Sequence, residues 1–267
     1  MSYTLAWATD VHLNFLDEAK VAAYARRVAE VAPDAVLITG DIAEAHDLEP
    51  KLTVLDEVLA RPIWFVLGNH DFYRGSIEQV RRLVVGLRER HPRLGWLPVC
   101  GVVPLGEGRA LVGVDGWGDA RLGRPESSRV WLNDFRLIAD LQGLVGPPLW
   151  SKLRALGDAE AATLAPLLEQ AAASHAEVVV ATHVPPFREA CWHEGKVSDD
   201  EWLPYFTCRA VGNVLLAAAR ARPEVTFTVY CGHTHGGGVS QLLPNLTVHT
   251  GGARYGTPEF QCLSFPG

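Results

Sequence analysis

Leu5-Ala6-Trp7-Ala8-Thr9-Asp10-Val11-His12 is a short apolar run that ends on a carboxylate and an imidazole. The same event recurs along the 267 residues. Ala35-Val36-Leu37-Ile38 leads to Gly40-Asp41, and Ile63-Trp64-Phe65-Val66-Leu67 leads to Gly68-Asn69-His70-Asp71. Further on, Val178-Val179-Val180 leads to His183, and Thr226-Phe227-Thr228-Val229-Tyr230 leads to Gly232-His233-Thr234-His235. Apolar runs of this length, bounded by turn residues, read as buried strands. In open α/β sheets ligands are bound at the carboxyl ends of strands. Polar residues scattered through the chain but delivered by strand ends are therefore expected to converge.

Helical patterns separate the first three runs. Residues 17–31 place Ala19, Ala22, Ala23, Val28 and Val31 at helix-like intervals, and residues 49–59 put Leu52, Leu55, Val58 and Leu59 on one face. A third helix is predicted over 76–90. Strand and helix in alternation predict a parallel α/β sheet. The middle is less regular, with strand-like runs at 95–103 and 109–114, a loop-rich stretch over 115–157, and a helix over 158–173. A second irregular stretch, 185–205, precedes a helix at 212–221. The last forty residues read as a β-meander with strands at 225–231, 239–243, 246–250 and 260–264. No repeat, linker or low-complexity tract interrupts the pattern, so residues 1–267 are expected to form one domain with irregular insertions near 115–157 and 185–205.

Composition narrows the class. Hydrophobic residues make up 48% of the chain, enough for a substantial core. A formal charge of -7 gives no general attraction to nucleic acid or to an anionic membrane. No stretch approaches the ~20 apolar residues of a spanning helix, and Met1-Ser2-Tyr3-Thr4 lacks the features of a secretion signal. The five cysteines, at 100, 191, 208, 231 and 262, are dispersed with no Cys-x-x-Cys pair. That spacing argues against a disulfide framework or a thiolate zinc site. A reduced, cytoplasmic setting is the expectation.

The polar motifs carry oxygen and imidazole ligands. Asp10 and His12 are two residues apart at a strand exit, so both side chains can point the same way. Asp41 follows a glycine that permits close backbone approach. Its two oxygens could bridge cations ~3.5–4 Å apart, the spacing of two-metal hydrolytic sites. Asn69 adds a neutral amide oxygen, and His183, His233 and His235 add imidazoles. The absence of cysteine from the set favours Mn, Fe, Co or catalytic Zn. Each motif alone has an ordinary reading as a turn or a cap. Two histidines within the glycine-rich turn formed by Gly232, Gly236, Gly237 and Gly238 have less structural purpose, and all five motifs in order leave coincidence little weight.

The order Asp-x-His, Gly-Asp, Gly-Asn-His-Asp, His, Gly-His-Thr-His resembles the calcineurin-like metallophosphoesterase superfamily, over nearly the whole chain from Asp10 to His235. The resemblance implies an α/β fold, a four-layer α/β/β/α sandwich of two mixed β-sheets flanked by helices, with a dimetal site at the strand C-terminal ends. It also implies two divalent metal ions (Mn, Fe, Zn or Co). Carried over, Asp10, His12, Asp41 and His235 would hold one ion, and Asp41, Asn69, His183 and His233 the other. His70 would protonate the leaving group or steady the transition state, and Asp71 would orient the His70 ring. One departure stands out. Members often carry a short polar or acidic residue soon after Gly-Asp, where this chain runs Ile42-Ala43-Glu44-Ala45-His46.

The implied activity is hydrolysis of a small phosphate ester, mono- or diester, by in-line attack of a metal-held hydroxide on phosphorus. A non-catalytic scaffold of the same fold is one rival, and retention of His70 beside a full ligand set weighs against it. A nuclease acting on DNA or RNA is another, and the acidic balance weighs against that. Around the site, Trp117, Trp131, Trp150, Trp192 and Trp202 fall in the two irregular stretches. They would chiefly pin loops to the body, with some walling a cleft. His193, Arg188, Lys196, Arg121 and Arg254 could meet phosphate oxygens, although any one reads first as a surface group. His46, His91, His175 and His249 have no motif context.

Overall fold

The computed structural model describes residues 2–265. In chain order the elements are β1 (Tyr3–Ala8), α1 (Glu18–Glu30), β2 (Ala35–Thr39), α2 (Leu48–Leu59), β3 (Ile63–Val66), α3 (Ile77–Arg90), β4 (Leu94–Trp96), β5 (Val103–Pro104) and β6 (Arg109–Gly113). Then come α4 (Asp134–Leu137), α5 (Gly146–Ala172), β7 (Glu177–Ala181), β8 (Trp192–His193), β9 (Lys196–Val197), α6 (Leu203–Phe206), α7 (Arg209–Ala221), β10 (Thr226–Cys231), β11 (Gly238–Leu243), β12 (Leu246–Thr250) and β13 (Gln261–Phe265).

Two sheets carry the fold. The first runs β13-β1-β2-β3-β4 and the second β11-β12-β10-β7-β6-β5. The central pairings β1/β2, β2/β3, β10/β7 and β6/β7 are parallel, while β13/β1, β11/β12 and β5/β6 are antiparallel, so both sheets are mixed. Alternation along each strand divides the side chains between two layers. Leu5 and Trp7 of β1, Leu37 of β2, Leu111 of β6, Val179 of β7 and Tyr230 of β10 share one core between the sheets, where the Trp7 and Tyr230 rings meet edge-on at 4.6 Å. Ala6, Ala8, Ile38 and Phe65 face the other way, onto α1, α2 and α3. Val112, Val178, Val180, Phe227 and Val229 do the same beneath α5 and α7. Helix, sheet, sheet and helix form the four layers that the resemblance implied.

The helix starts follow local chemistry. Asp17 accepts the Lys20 amide at 2.8 Å to cap α1, and Ser76 accepts the Gln79 amide at 3.3 Å to cap α3. The helix expected over 158–173 begins twelve residues earlier, at Gly146, and continues past Pro166. Gly146-Pro147-Pro148 reads as a loop, yet proline fits the first helical turn because its missing N–H has no partner there in any case. Leu149 and Leu153 then extend the buried face. The helix expected at 212–221 likewise starts at Arg209.

Two further expectations are corrected. Residues 95–103 are not one strand: β4 joins the first sheet, a 3-10 turn follows at Leu97–Val99, and β5 joins the second. Pro98 and Gly101, which has φ +71, break the run. The last forty residues are not a meander either. β12 lies between β11 and β10 and runs parallel to β10, and β13 crosses to the first sheet to pair with β1. The Gly-His-Thr-His segment is thus a crossover to an edge strand, long enough to carry two ligand-type side chains. No helix among the described residues is long and apolar enough to cross a membrane.

Candidate metal centre

The strand exits are held together by backbone bonds that continue the ladders. Asp10 N donates to Gly40 O at 3.1 Å, His12 N to Asp41 O at 2.9 Å and Leu13 N to Ile42 O at 2.8 Å, joining the loops after β1 and β2. Across the second sheet, Gly232 N donates to His183 O at 2.9 Å. Asp10, His12, Asp41, His233 and His235 all adopt positive φ, between 42° and 69°. Among the described residues, half of the ten non-glycine residues with positive φ are thus expected ligands. Such backbone costs on the order of 1 kcal/mol or more per residue and persists where surrounding structure enforces it, commonly at functional sites. Two motif glycines are also explained. A Cβ on Gly68 would overlap Asp41 Oδ1, and one on Gly232 would overlap Asp10 Oδ2 and Thr9 Oγ1.

All seven expected ligand residues meet at this junction. One ligand atom from each of Asp10, His12, Asp41 and His235 lies within 4.8 Å of the others. His235 Nε2 is 3.4 Å from Asp10 Oδ1 and 3.1 Å from His12 Nε2, which is 3.7 Å from Asp41 Oδ2. On the other side of Asp41, Oδ1 lies 3.3 Å from His183 Nε2, which is 3.1 Å from Asn69 Oδ1. The His233 ring stands beside that of His183, with centroids 5.0 Å apart. Asp41 therefore turns one oxygen to each group.

Second partners fix which ring nitrogens are free. His183 Nδ1 donates to Thr39 O at 2.9 Å, leaving the Nε2 lone pair facing Asp41 and Asn69. His233 Nε2 donates to Tyr205 O at 3.1 Å, leaving Nδ1 as the lone-pair atom. Fixing a ligand tautomer through its other nitrogen is the usual arrangement at metal sites. His12 is fully buried, and neither of its ring nitrogens meets a backbone carbonyl or hydroxyl among the described residues.

Charge follows the same logic. Burial, with His70 nearby, holds His12 down to about 2. Burial and the neighbouring His183 hold both His70 and His233 down to about 3, and burial lowers His183. These imidazoles are neutral at pH 7 and offer lone pairs. Burial pushes Asp10 up, but the His235 hydrogen bond and the surrounding imidazoles outweigh it and hold the carboxyl below its usual range. Asp41 is driven well upward by burial and by the charges of Asp10 and Asp71. Two buried carboxylates ringed by unpaired imidazole nitrogens and one amide oxygen form a donor set that a divalent cation satisfies.

His70 sits at the rim. Its amide donates to Asp41 Oδ1 at 2.9 Å, and its ring Nε2 is 3.9 Å from Asp41 Oδ2. The role expected of Asp71 is corrected. A 3-10 turn over Asn69–Phe72 folds its carboxylate back to accept the amides of Gly68 (2.8 Å), Ile42 (2.9 Å) and Ala43 (2.8 Å). Filled by these donors, Asp71 ties the Asn-His-Asp loop to the Gly-Asp loop and does not orient the His70 ring. The departure at Ile42-Ala43 thus supplies two buried amides. What braces His70 is Tyr73, stacked on it at 4.2 Å and 27°. Tyr73 in turn donates to Asp134 Oδ1 at 2.7 Å, and the same oxygen accepts Asn69 Nδ2 at 2.8 Å. Asp134, the first residue of α4, belongs to no strand exit and to no periodic run, so no local pattern marks it among the acids of the 115–157 stretch.

A cavity of about 580 Å³ opens over the site, lined by Asp41, Asn69, His70, His233 and His235 at its base. Of the five tryptophans in the irregular stretches, Trp131 and Trp202 line it, whereas Trp117 is buried. His193 and Lys196 also reach it. Arg188 pairs instead with Asp200, and Arg121 with Asp119 and Asp158.

The sequence matches the family described as calcineurin-like phosphoesterase over residues 3–237. A search of curated proteins finds no significant match. Among solved structures, the chain is similar to a phosphopantetheinyl hydrolase from Mycobacterium tuberculosis, with TM-score 0.66 and 18% identity over 94% of this chain and 90% of that one. It is also similar to a dimetal phosphatase from Danio rerio, with TM-score 0.58 and 16% identity over 94% and 87%. A third neighbour, described as the anchor in the inner membrane complex of Plasmodium, gives TM-score 0.54 and 12% identity over 98% and 81%. At these identities the likeness shows the fold, which hydrolases and an anchor share. The family match extends from the first strand through the last histidine of the ligand set: the chain belongs to the calcineurin-like phosphoesterase family.

Proposed function

We propose that this protein is a dinuclear metal-dependent hydrolase of small phosphate esters. One observation carries the reading: Asp41 presents Oδ2 to the His12 side and Oδ1 to the His183 and Asn69 side, so one carboxylate serves two ligand groups. Asp10, His12, Asp41 and His235 would hold one divalent ion, and Asp41, Asn69, His183 and His233 the other. When bound, such ions supply hydroxide near neutral pH and positive charge for phosphoryl oxygens. The chain's own residues do the rest. Asp71 and the backbone bonds between the strand exits hold the two ligand groups in register. Tyr73 keeps the His70 ring at the cavity floor, where it can give a proton to a departing oxygen. The neutral imidazole would first take up a proton that the attacking water releases, and pass that proton on to the departing oxygen.

The test is a metal analysis followed by an activity screen. Protein purified under mild conditions and reconstituted with Mn is expected to bind two ions and to turn over part of a panel of phosphate mono- and diesters. Asp41→Ala is expected to lose both ions. A stoichiometry of one that resists added Mn would sink the dinuclear reading. Absence of turnover on every ester by the fully loaded protein would leave a metal-binding scaffold.

A further inference from the structure

Aromatic side chains that remain exposed are few, and their placement is not scattered. Phe15, Trp131, Trp202 and Tyr255 are each at least 46% exposed, and they are the exposed aromatics among the described residues. Trp131, Trp202 and Tyr255 all line the cavity above the ligand set, and Phe15 packs edge-on against Tyr255 at 5.2 Å. They come from separate excursions of the chain: Trp131 from the loops before α5, Trp202 from the stretch between β9 and α6, and Tyr255 from the connection between β12 and β13. Isolated exposed apolar residues need no explanation, but convergence on one concave site does.

Each ring is held in place. Trp131 meets Phe135 edge-to-face at 5.1 Å, and Trp202 meets Phe206 in the same way at 5.4 Å. Phe206 in turn lies 4.5 Å from the ring of His233, and Tyr255 lies 4.8 Å from His235 and 4.5 Å from His12. Aromatic surface thus extends from the mouth of the cavity to the ligand histidines. Asn133, Ser198 and Thr234 share the lining and add hydrogen-bonding groups, and Glu194, Lys196 and Asp199 bring charges to it. A pocket of flat faces and polar groups suits a planar ring bearing polar edges better than a flexible chain, which would forfeit the stacking energy.

We infer that the cavity is a leaving-group subsite for a planar aromatic ring carried on the phosphate ester, with Trp131 and Trp202 as its specificity-determining residues. This rests on the phosphoesterase reading and adds the chemical class of the substrate. Stacking on such a ring contributes roughly tenfold in affinity for each aromatic side chain engaged.

Three non-hydrolysable probes test it on the Mn-loaded protein by calorimetry: naphthylmethylphosphonate, hexylphosphonate and methylphosphonate. The wild type is expected to bind the naphthyl probe roughly tenfold or more tighter than the hexyl probe. Trp131→Ala and Trp202→Ala should each remove most of that preference, and Trp131→Phe and Trp202→Phe should retain most of it. Both tryptophans are surface residues, and thermal unfolding of the variants checks that folding is intact. Equal affinity for the naphthyl and hexyl probes overturns the aromatic assignment, as does a preference untouched by either alanine variant. Failure of all three probes to bind overturns the phosphoesterase reading itself. Binding of methylphosphonate with no gain from the ring overturns only the subsite.

Discussion

Asp134→Ala isolates a residue that touches no expected ion yet faces the ligand set. The carboxylate is 6% exposed, and its Oδ1 takes both Asn69 Nδ2 at 2.8 Å and the Tyr73 hydroxyl at 2.7 Å. Holding the Asn69 amide nitrogen fixes its oxygen toward His183 Nε2, 3.1 Å away. Alanine leaves the buried Tyr73 hydroxyl without its acceptor and Asn69 Nδ2 with only the longer bond to that hydroxyl, at 3.4 Å, a loss of about 1–3 kcal/mol for each donor that stays unsatisfied. It also frees the amide to rotate, which would turn an N–H₂ group to where an acceptor is needed. Removing the outer partner of a metal ligand typically weakens binding by roughly 10–100-fold. Calorimetric titration of metal-stripped protein with Mn is the assay. Two binding events are expected in the wild type, and in Asp134→Ala the event involving Asn69 should weaken by roughly that factor. The event centred on Asp10, His12 and His235 should stay near its wild-type value. Tyr73→Phe keeps the stacked ring and removes one donor, so its effect should be smaller. Equal weakening of both events would point to general loosening, and no weakening of either would refute the positioning role.

Other substitutions probe separate links. His70→Ala should retain both ions but lose activity by ~10²–10⁴-fold on esters with poor leaving groups, and by less on p-nitrophenyl esters, which scarcely need protonation. Equal losses of kcat on both kinds of ester would argue against proton donation. Gly232→Ala places a Cβ against Asp10 Oδ2 and Thr9 Oγ1, so metal affinity should fall although no ligand is removed; unchanged affinity would show that the loop yields freely. Burial pushes the thiols of Cys208 and Cys231 up to about 12 and that of Cys191 up to about 11, while Cys262 is exposed. Native protein should therefore react quickly with a thiol reagent at Cys262, and Cys191, Cys208 and Cys231 should react only after denaturation. Fast labelling of those three would contradict the packing around them.

What the sequence showed and what it hid have a common cause. Asp10, Asp41, Asn69, His183 and His233 end apolar runs, so strand periodicity and local turn chemistry place them without reference to the rest of the chain. Asp134, Tyr73 and Tyr255 matter through contacts between segments 61 or more residues apart or through loops, and no local pattern encodes those. Asp71 illustrates the converse: the resemblance implied a contact with the His70 ring, but a 3-10 turn aims its carboxylate at the amides of Ile42 and Ala43. The start of α5 was masked because Gly146-Pro147-Pro148 fits a loop and a first helical turn equally well. The order of β10, β11 and β12 was masked because hydrophobic alternation defines strands but not their partners.

The ligand set is divided between the layers: Asp10, His12, Asp41 and Asn69 leave the first sheet, and His183, His233 and His235 leave the second. Neither sheet alone can complete an ion's shell. Ion binding is then linked by mass action to the docking of one half of the sandwich against the other. An ion present at a hundredfold above its Kd adds about 2.7 kcal/mol in favour of the docked state. If the proposed ions bind, the centre would be a clasp as well as a site of chemistry, and a chelator strong enough to strip it would act as a selective denaturant of the seam between the sheets.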